Sequence, residues 1–286
     1  MSHRTVVITG CSSGIGKALA KQYHSQGYQV IAGARRPDKM TDLKDLGIIT
    51  VQLDVTSDES VRELKEKVEK WTGGKLDVLI NNAGQGCGNP AIETSVDRSK
   101  EIFDVNLFGV MRMTNAFSSL LIRARGKIVN VGSVAGIIMF PFGSTYAATK
   151  AALHAYSDIL RLELKAFEVE VITVVTGGVA TEIADGTPFI KDSLYAQAKY
   201  TLDRKANISK ESSPMPAEVF AYRVYNHVSK KDTNPRYWQG SKTLLIRLVT
   251  TFLPRWVIEL GILRRFKLNE FIALIRKKRA ANELTL

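Results

Sequence analysis

Tyr146 and Lys150 stand four residues apart in the run Ser144-Thr-Tyr-Ala-Ala-Thr-Lys150, and Ser133 lies thirteen residues before Tyr146. On a helix, residues i and i+4 share one face. An ammonium beside a phenol favours the phenolate and draws the tyrosine pKa down from its usual ~10. A phenol tuned in this way serves as a general acid or base. Ser133 adds a second hydroxyl donor for an oxygen on which charge develops. Tyr-x-x-x-Lys alone is a weak signal, because the spacing arises by chance in many helices. Its weight comes from what stands at the other end of the same half of the chain.

There, the apolar β-branched run Thr5–Ile8 reads as a buried strand. The loop Thr9-Gly-Cys-Ser-Ser-Gly-Ile-Gly16 follows, and then Lys17–His24, which reads as a helix stopped at Gly27. Strand, glycine turn and helix N-terminus together form a phosphate site. Glycines let backbone approach a pyrophosphate, and the helix end offers free N–H groups and partial positive charge. The next strand, Tyr28–Gly33, runs into Ala34-Arg-Arg-Pro37. An acidic residue at that strand end would bind a free ribose 2′-hydroxyl, whereas arginine accommodates a 2′-phosphate. Arg35 and Arg36 are present and no acid is, which favours NADP(H) over NAD(H).

Further stretches fall in order. Asp54-Val55 follows the run Ile48–Leu53, Asn81-Asn-Ala-Gly84 follows Leu76–Ile80, and Asn106 lies in Phe103–Gly109. With the glycine loop, Ser133, Tyr146 and Lys150, these stretches resemble the short-chain dehydrogenase/reductase family over residues 4 to 240. The resemblance implies roles. Gly10, Ser12, Ser13, Gly14, Ile15 and Gly16 would hold the pyrophosphate, and Arg35 and Arg36 the 2′-phosphate. Asp54 and Val55 would border the adenine; Asn82, Ala83 and Gly84 would lie along the cofactor; Val179 and Thr181 would meet the nicotinamide carboxamide. Tyr146 would donate the proton in carbonyl reduction, Lys150 would contact the nicotinamide ribose and tune Tyr146, and Ser133 would bond the carbonyl oxygen. Asn106 would support a water relaying protons to Lys150. One departure stands out: Thr176 occupies a position where the family often has proline, in Val174-Val-Thr-Gly-Gly-Val-Ala-Thr181.

A narrower resemblance runs through Asn81–Cys87, Phe140–Ser144, Thr176–Asp185, Pro214–Ala217 and Phe266–Leu268. It is to a fungal group within the family, the NADPH-dependent reductases of 1-acyl-dihydroxyacetone phosphate. That group would make 1-acyl-glycerol 3-phosphate, a precursor of phospholipid and triacylglycerol. It implies an acylated phosphate lipid as substrate, and a location at the cytosolic face of the endoplasmic reticulum or on lipid droplets. Two rivals use the same residues. A ketosteroid or retinal reductase would share the Ser-Tyr-Lys chemistry and differ in the substrate loop, residues 182–215. There Lys191, Lys199, Arg204, Lys205 and Lys210 favour a charged substrate, against Asp185, Asp192, Asp203 and Glu211. Lys199, Arg204 and Lys205 are the candidates to meet a phosphate. The second rival is a lipase, since Gly10-Cys-Ser-Ser-Gly14 also fits the Gly-x-Ser-x-Gly elbow with Ser12 as nucleophile and His154 or His227 as base.

The 286 residues are 45% hydrophobic and 24% charged, which suits one α/β domain and an appendage rather than a disordered chain. Strand-like and helix-like runs alternate from residue 4 to 240, predicting a doubly wound, mostly parallel, Rossmann-like sheet. The long helices are expected at 97–124 and 145–167, where the family often dimerises or tetramerises. Cys11 and Cys87 read as reduced thiols, and His3, His24, His154 and His227 form no metal-ligand cluster in sequence. The first strand begins too near Met1 to leave room for a cleaved signal peptide.

Residues 241–286 read as a second unit. The stretch 243–263 is mostly apolar but broken by Arg247, Pro254, Arg255 and Glu259. A spanning helix needs ~20 predominantly apolar residues. A helix lying in the interface tolerates charges on its wet face, and Trp256 suits that depth. From Arg236 to Leu286 eleven Lys/Arg face three Glu, so +8 of the net +12 sits in the tail. That asymmetry favours an anionic membrane or lipid-droplet surface, and no nucleic-acid motif accompanies it.

Overall fold

The computed structural model describes residues 4–181, 193–198, 200, 213–231 and 233–281. Seven parallel strands form one sheet: β1 (Thr5–Thr9), β2 (Gln29–Ala34), β3 (Ile49–Gln52), β4 (Val78–Asn81), β5 (Lys127–Val131), β6 (Glu170–Thr176) and β7 (Arg236–Gln239). Their order is β3-β2-β1-β4-β5-β6-β7, so the winding reverses between β1 and β4. In open α/β sheets, ligands sit at such a switch point, beyond the carboxyl ends of the strands.

The strands read as continuous apolar runs because both faces are covered. Val6 and Ile8 of β1, Val78 and Ile80 of β4, and Val129 and Val131 of β5 point to one core. Val7, Leu79 and Ile128, one residue out of step, point to the other. The first core is closed by α1 (Gly14–Ser25), the short α2 (Thr41–Asp45) and a later helix, Ala217–Val228. The second is closed by α3 (Asp58–Thr72) and by two long helices. Ser57 caps α3 by accepting from Ser60 N, Asp58 and Glu59 complement its dipole, and Gly73 ends it in the left-handed region at φ 62°.

The helix expected over 97–124 is α4 (Val96–Phe103) and α5 (Gly109–Ala124), joined by one π turn at Asp104–Phe108. The helix expected over 145–167 is α6 (Ser144–Leu164), followed by a single 3₁₀ turn. Ala217–Val228 is therefore α7 among the described helices. Thr176 closes β6, and the chain beyond it stays extended: Gly177 N donates to Gln239 O (2.9 Å), and Gly178 exchanges bonds with Ser241. A Cβ on Gly177 would lie 2.5 Å from Ser241 O, so the close approach of the two chains needs glycine there.

The tail folds as three helices: α8 (Thr243–Phe252), α9 (Arg255–Arg265) and α10 (Leu268–Ala280). The expected apolar segment 243–263 is thus cut at Pro254, which cannot continue α8. Among the described residues no helix is long and apolar enough to cross a membrane. Phe266 is fully buried, and Phe271 packs on Tyr195 (ring centroids 5.7 Å apart), which meets Phe142 at 5.2 Å. The tail therefore leans on the loop that precedes Tyr146. Lys191, Lys199, Arg204, Lys205 and Lys210, with Asp185, Asp192, Asp203 and Glu211, lie outside the described residues.

Candidate active site

The carboxyl ends of β4 and β5, the N-terminal half of α6 and the π turn converge on one cluster. Helix α6 presents Tyr146, Lys150, His154 and Ser157 along a single face, and the last three are bolted to Val131, Ser133 and Asn130, at and just beyond the end of β5. Asn130 Nδ2 donates to Ser157 Oγ (2.9 Å), Lys150 Nζ to Val131 O (2.8 Å), and Ser133 N to His154 Nε2 (3.3 Å). Asn81 Nδ2 extends the row across to β4 by donating to Asn130 Oδ1 (2.9 Å). Ser133 Oγ accepts from Ala135 N (3.1 Å), which holds the turn after β5.

Burial sets the electrostatics. Burial raises the Tyr146 phenol above its ordinary value, and the Ser133 hydroxyl partly offsets this. Burial lowers Lys150 to about 8. The depression of Tyr146 expected from Lys150 is therefore absent. The ammonium nitrogen is spent on Val131 O and lies 5.8 Å from the phenol ring centroid, and desolvation outweighs what reaches the ring. His154 falls to about 4, first through burial and then through the nearby Lys150 and Arg236.

The π turn adds a residue to the helix and turns Asn106 fully inward. Its Oδ1 accepts from Gln85 N (2.8 Å), while Nδ2 donates to Gln85 O (2.9 Å) and Thr149 Oγ1 (3.1 Å). A Cβ on Gly84 would lie 3.3 Å from Asn106 Oδ1 and 3.9 Å from Lys150 Nζ, so the loop after β4 runs directly over both. Asn82 Nδ2 donates to Thr9 O and Gly10 O, and Thr9 Oγ1 accepts from Asn82 N and Ala83 N. These bonds tie the loops after β1 and β4 across the switch point.

The glycine loop is packed without slack. Gly10 has φ +74°, and a Cβ there would meet Ala83 Cα at 2.8 Å; a Cβ on Gly16 would meet Gly10 O at 2.3 Å. Thr181 is brought to the loop, against Gly14. Val179 is buried and bridges Met215. Ser12 and Ile15 are half-buried and Ser13 exposed. Ser13 makes no side-chain cap, and the first turn of α1 carries no acidic residue, so the positive end of the helix dipole is not offset from within the helix. Arg35 and Arg36 stand exposed just past β2, with no carboxylate partner among the described residues. Asp54 Oδ1 is engaged by Thr56 N and Oγ1, and the Val55 side chain is buried against Gly109, which leaves backbone to face an adenine. Anion donors, a cationic 2′ position and a tight turn fit a phosphorylated dinucleotide.

Among the described residues Ser12 has no histidine partner. His154 is taken by Ser133, while His227 bonds Asn234 O and stacks on Tyr237, so the described residues assemble no hydrolase triad around Ser12. Sequence reasoning missed His154 as part of the cluster; the available signal was its place eight residues after Tyr146, on the same helix face. It also missed Gln85 and Thr149, which no spacing rule marks. Among the described residues no group of His, Cys, Asp and Glu could hold a metal ion.

A family profile described as short chain dehydrogenase matches residues 4–188. This chain belongs to the short-chain dehydrogenases. An NADPH-dependent 1-acyldihydroxyacetone phosphate reductase of Saccharomyces cerevisiae is 36% identical over 282 residues, covering 96% of this chain and 95% of its own. The short-chain dehydrogenase ptmH of Penicillium ochrochloron is 41% identical over 263 residues, covering 91% of this chain and 97% of its own. A short-chain dehydrogenase from Streptomyces avermitilis superposes with a TM-score of 0.79 at 26% identity, covering 97% and 98% of the two chains. As a short-chain dehydrogenase the protein is an oxidoreductase acting on a CH–OH/C=O pair, and NADP(H) is its cofactor.

Proposed function

We propose that this dehydrogenase reduces the ketone of 1-acyl-dihydroxyacetone phosphate to 1-acyl-glycerol 3-phosphate. One observation carries the reading: the similarity to the yeast reductase of that name runs nearly end to end, tail included. When bound, NADPH supplies the hydride. The chain's own residues do the rest. Gly10, Ser12, Ser13, Gly14, Ile15 and Gly16 would hold the pyrophosphate through backbone N–H groups, and Arg35 and Arg36 the 2′-phosphate. Asp54, Val55, Asn82, Ala83, Gly84, Val179 and Thr181 would line the remainder of the dinucleotide. Ser133 and Tyr146 donate hydrogen bonds to the carbonyl oxygen, where charge develops, and Tyr146 delivers its proton there. Lys150 holds the end of β5 and meets the ribose, while Asn106 fixes the loop at Gln85. Purified protein should oxidise NADPH in the presence of this lipid, and a steroid ketone in parallel tests the alternative.

A second reading, a ketosteroid or retinal reductase on the same scaffold, stays open because ptmH, 41% identical over 263 residues, is named only as a short-chain dehydrogenase. The two readings differ in substrate and share every residue of the chemistry.

The tail supports a surface role for 241–286 as a unit of its own. Leu244, Leu248 and Phe252 recur along α8, and Trp256 follows on α9; Leu244, Phe252 and Trp256 are 68%, 74% and 65% exposed. Arg247 lies on α8 among them, and Arg255, Arg264 and Arg265 lie on α9. Exposed apolar anchors on helices that also carry arginines match an anionic lipid surface, at the cytosolic face of the endoplasmic reticulum or a lipid droplet. Flotation with phosphatidylserine vesicles tests this: Phe252→Glu with Trp256→Glu should abolish it, and unchanged flotation would refute it. Sedimentation equilibrium reads whether two copies associate, and a charge placed on the exposed Leu162 of α6 should weaken that association if this helix forms the seam.

A further inference from the structure

The bonds between α6 and β5 include one that the reaction outlined above leaves unused. Ser133 is separated from β5 by Gly132 alone, and its hydroxyl works only if the backbone around it stays fixed. Gly132 N is held from one side by Val174 O (2.9 Å). From the other side the support is His154. Its Nε2 accepts the Ser133 N–H at 3.3 Å, and its ring lies so close under the turn that a Cβ on Gly132 would meet Nε2 at 2.3 Å and Cδ2 at 2.8 Å. The imidazole is 5% exposed. We infer that His154 is a positioning residue of the reductase: its unprotonated Nε2 grips the Ser133 amide and its ring floors the Gly132 turn, which aims the Ser133 hydroxyl at the substrate oxygen.

The arrangement demands one protonation state. Nε2 accepts, so the neutral ring carries its proton on Nδ1. Protonation of Nε2 would set N–H against N–H at Ser133 and break the grip. The charges around the ring guard against this. Lys150 from α6 and Arg236 from β7 both disfavour a second cation, and only Asp158, itself paired with Arg236, favours one. His154 thus acts as a neutral acceptor at working pH and moves no proton in the reaction.

Three variants test the inference. His154→Leu keeps bulk and removes the acceptor. His154→Gln keeps an acceptor of similar reach, and His154→Asn is too short to make the contact. They are assayed with whichever ketone the wild type turns over fastest, so the outcome does not depend on which substrate is correct. The Leu and Asn variants should lose on the order of tenfold or more in kcat, as small misplacements near chemistry do. NADPH affinity, read by fluorescence titration, should hold within about twofold. Gln should recover most of the kcat. A purely structural role would shift melting temperature in all three without this ordering. Equal kcat for Gln and Asn, or a Leu variant as fast as wild type, overturns the inference. Independently of turnover, long-range proton–nitrogen NMR of the four histidines should show His154 with a bare Nε2 at neutral pH. A protonated Nε2 there overturns it too.

Discussion

Lys150→Met should abolish turnover and make the protein more stable. The ammonium is 5% exposed, and burial lowers its pKa from 10.5 to about 8. At neutral pH the folded state therefore carries a charge it disfavours by about 3 kcal/mol, at ~1.4 kcal/mol per unit. Methionine removes that penalty and fills similar space, but it leaves Val131 O without its 2.8 Å donor, which takes back roughly 1–2 kcal/mol. The net is a gain of about 1–2 kcal/mol. For a chain this long that raises the melting temperature by roughly 2–5 °C. The sign has a pH signature. The unfolded lysine binds its proton up to about 10.5 and the folded one only up to about 8. Wild-type stability consequently rises between these values while the variant's does not, so the gap should close at about pH 9 and reverse by pH 10.5, where only the variant's lost bond to Val131 O remains. Differential scanning calorimetry from pH 7 to 10.5, on protein without added nucleotide, reads all of this. A variant that melts lower than wild type at pH 7, or a gap that is flat with pH, would refute the claim that function holds a destabilising charge here.

Arg35→Ala with Arg36→Ala should raise the KM for NADPH by roughly tenfold to a hundredfold and leave NADH almost unaffected, since charge-assisted bonds to the 2′-phosphate are lost; equal losses with both cofactors would argue against that placement. Acid should weaken the wild type through His154. Its pKa falls from 6.5 to about 4 on folding, so its contribution is whole above pH 6.5 and is lost, by about 3 kcal/mol, as pH drops toward 4. Urea titrations across that range should show a shallower loss for His154→Gln. Gly16→Ala places a Cβ 2.3 Å from Gly10 O and 2.5 Å from Asn82 Nδ2, so the loop must shift. Isothermal titration should then find NADPH binding weakened on the order of tenfold or more, with Ser12→Ala as the mild comparison.

The nucleotide half was legible because its signals are local. A β-branched run, glycines that the turn requires and a helix behind them are consecutive in sequence, and the doubly wound, mostly parallel sheet followed from alternation. Tyr146 and Lys150 were legible for the same reason, as one helical repeat. What was not legible depends on packing. The π turn at Asp104–Phe108 leaves no mark in hydrophobic spacing, yet it is what turns Asn106 inward onto Gln85. The direction of the Tyr146 shift was misjudged because spacing gives proximity to Lys150 but not the competing carbonyl of Val131 or the depth of the pair. The break at Pro254 was visible, whereas the docking of Phe271 on Tyr195 joins residues 76 positions apart and had no sequence signal.

The most direct test of the central claim is NADPH oxidation by purified protein with 1-acyl-dihydroxyacetone phosphate, with Tyr146→Phe alongside. Turnover of the phosphate lipid, accompanied by formation of 1-acyl-glycerol 3-phosphate and reduced by about 10²–10⁴ in the variant, is the predicted result. No oxidation with this lipid, while a steroid or other neutral ketone is reduced, would contradict the substrate; full activity in Tyr146→Phe would contradict the chemistry.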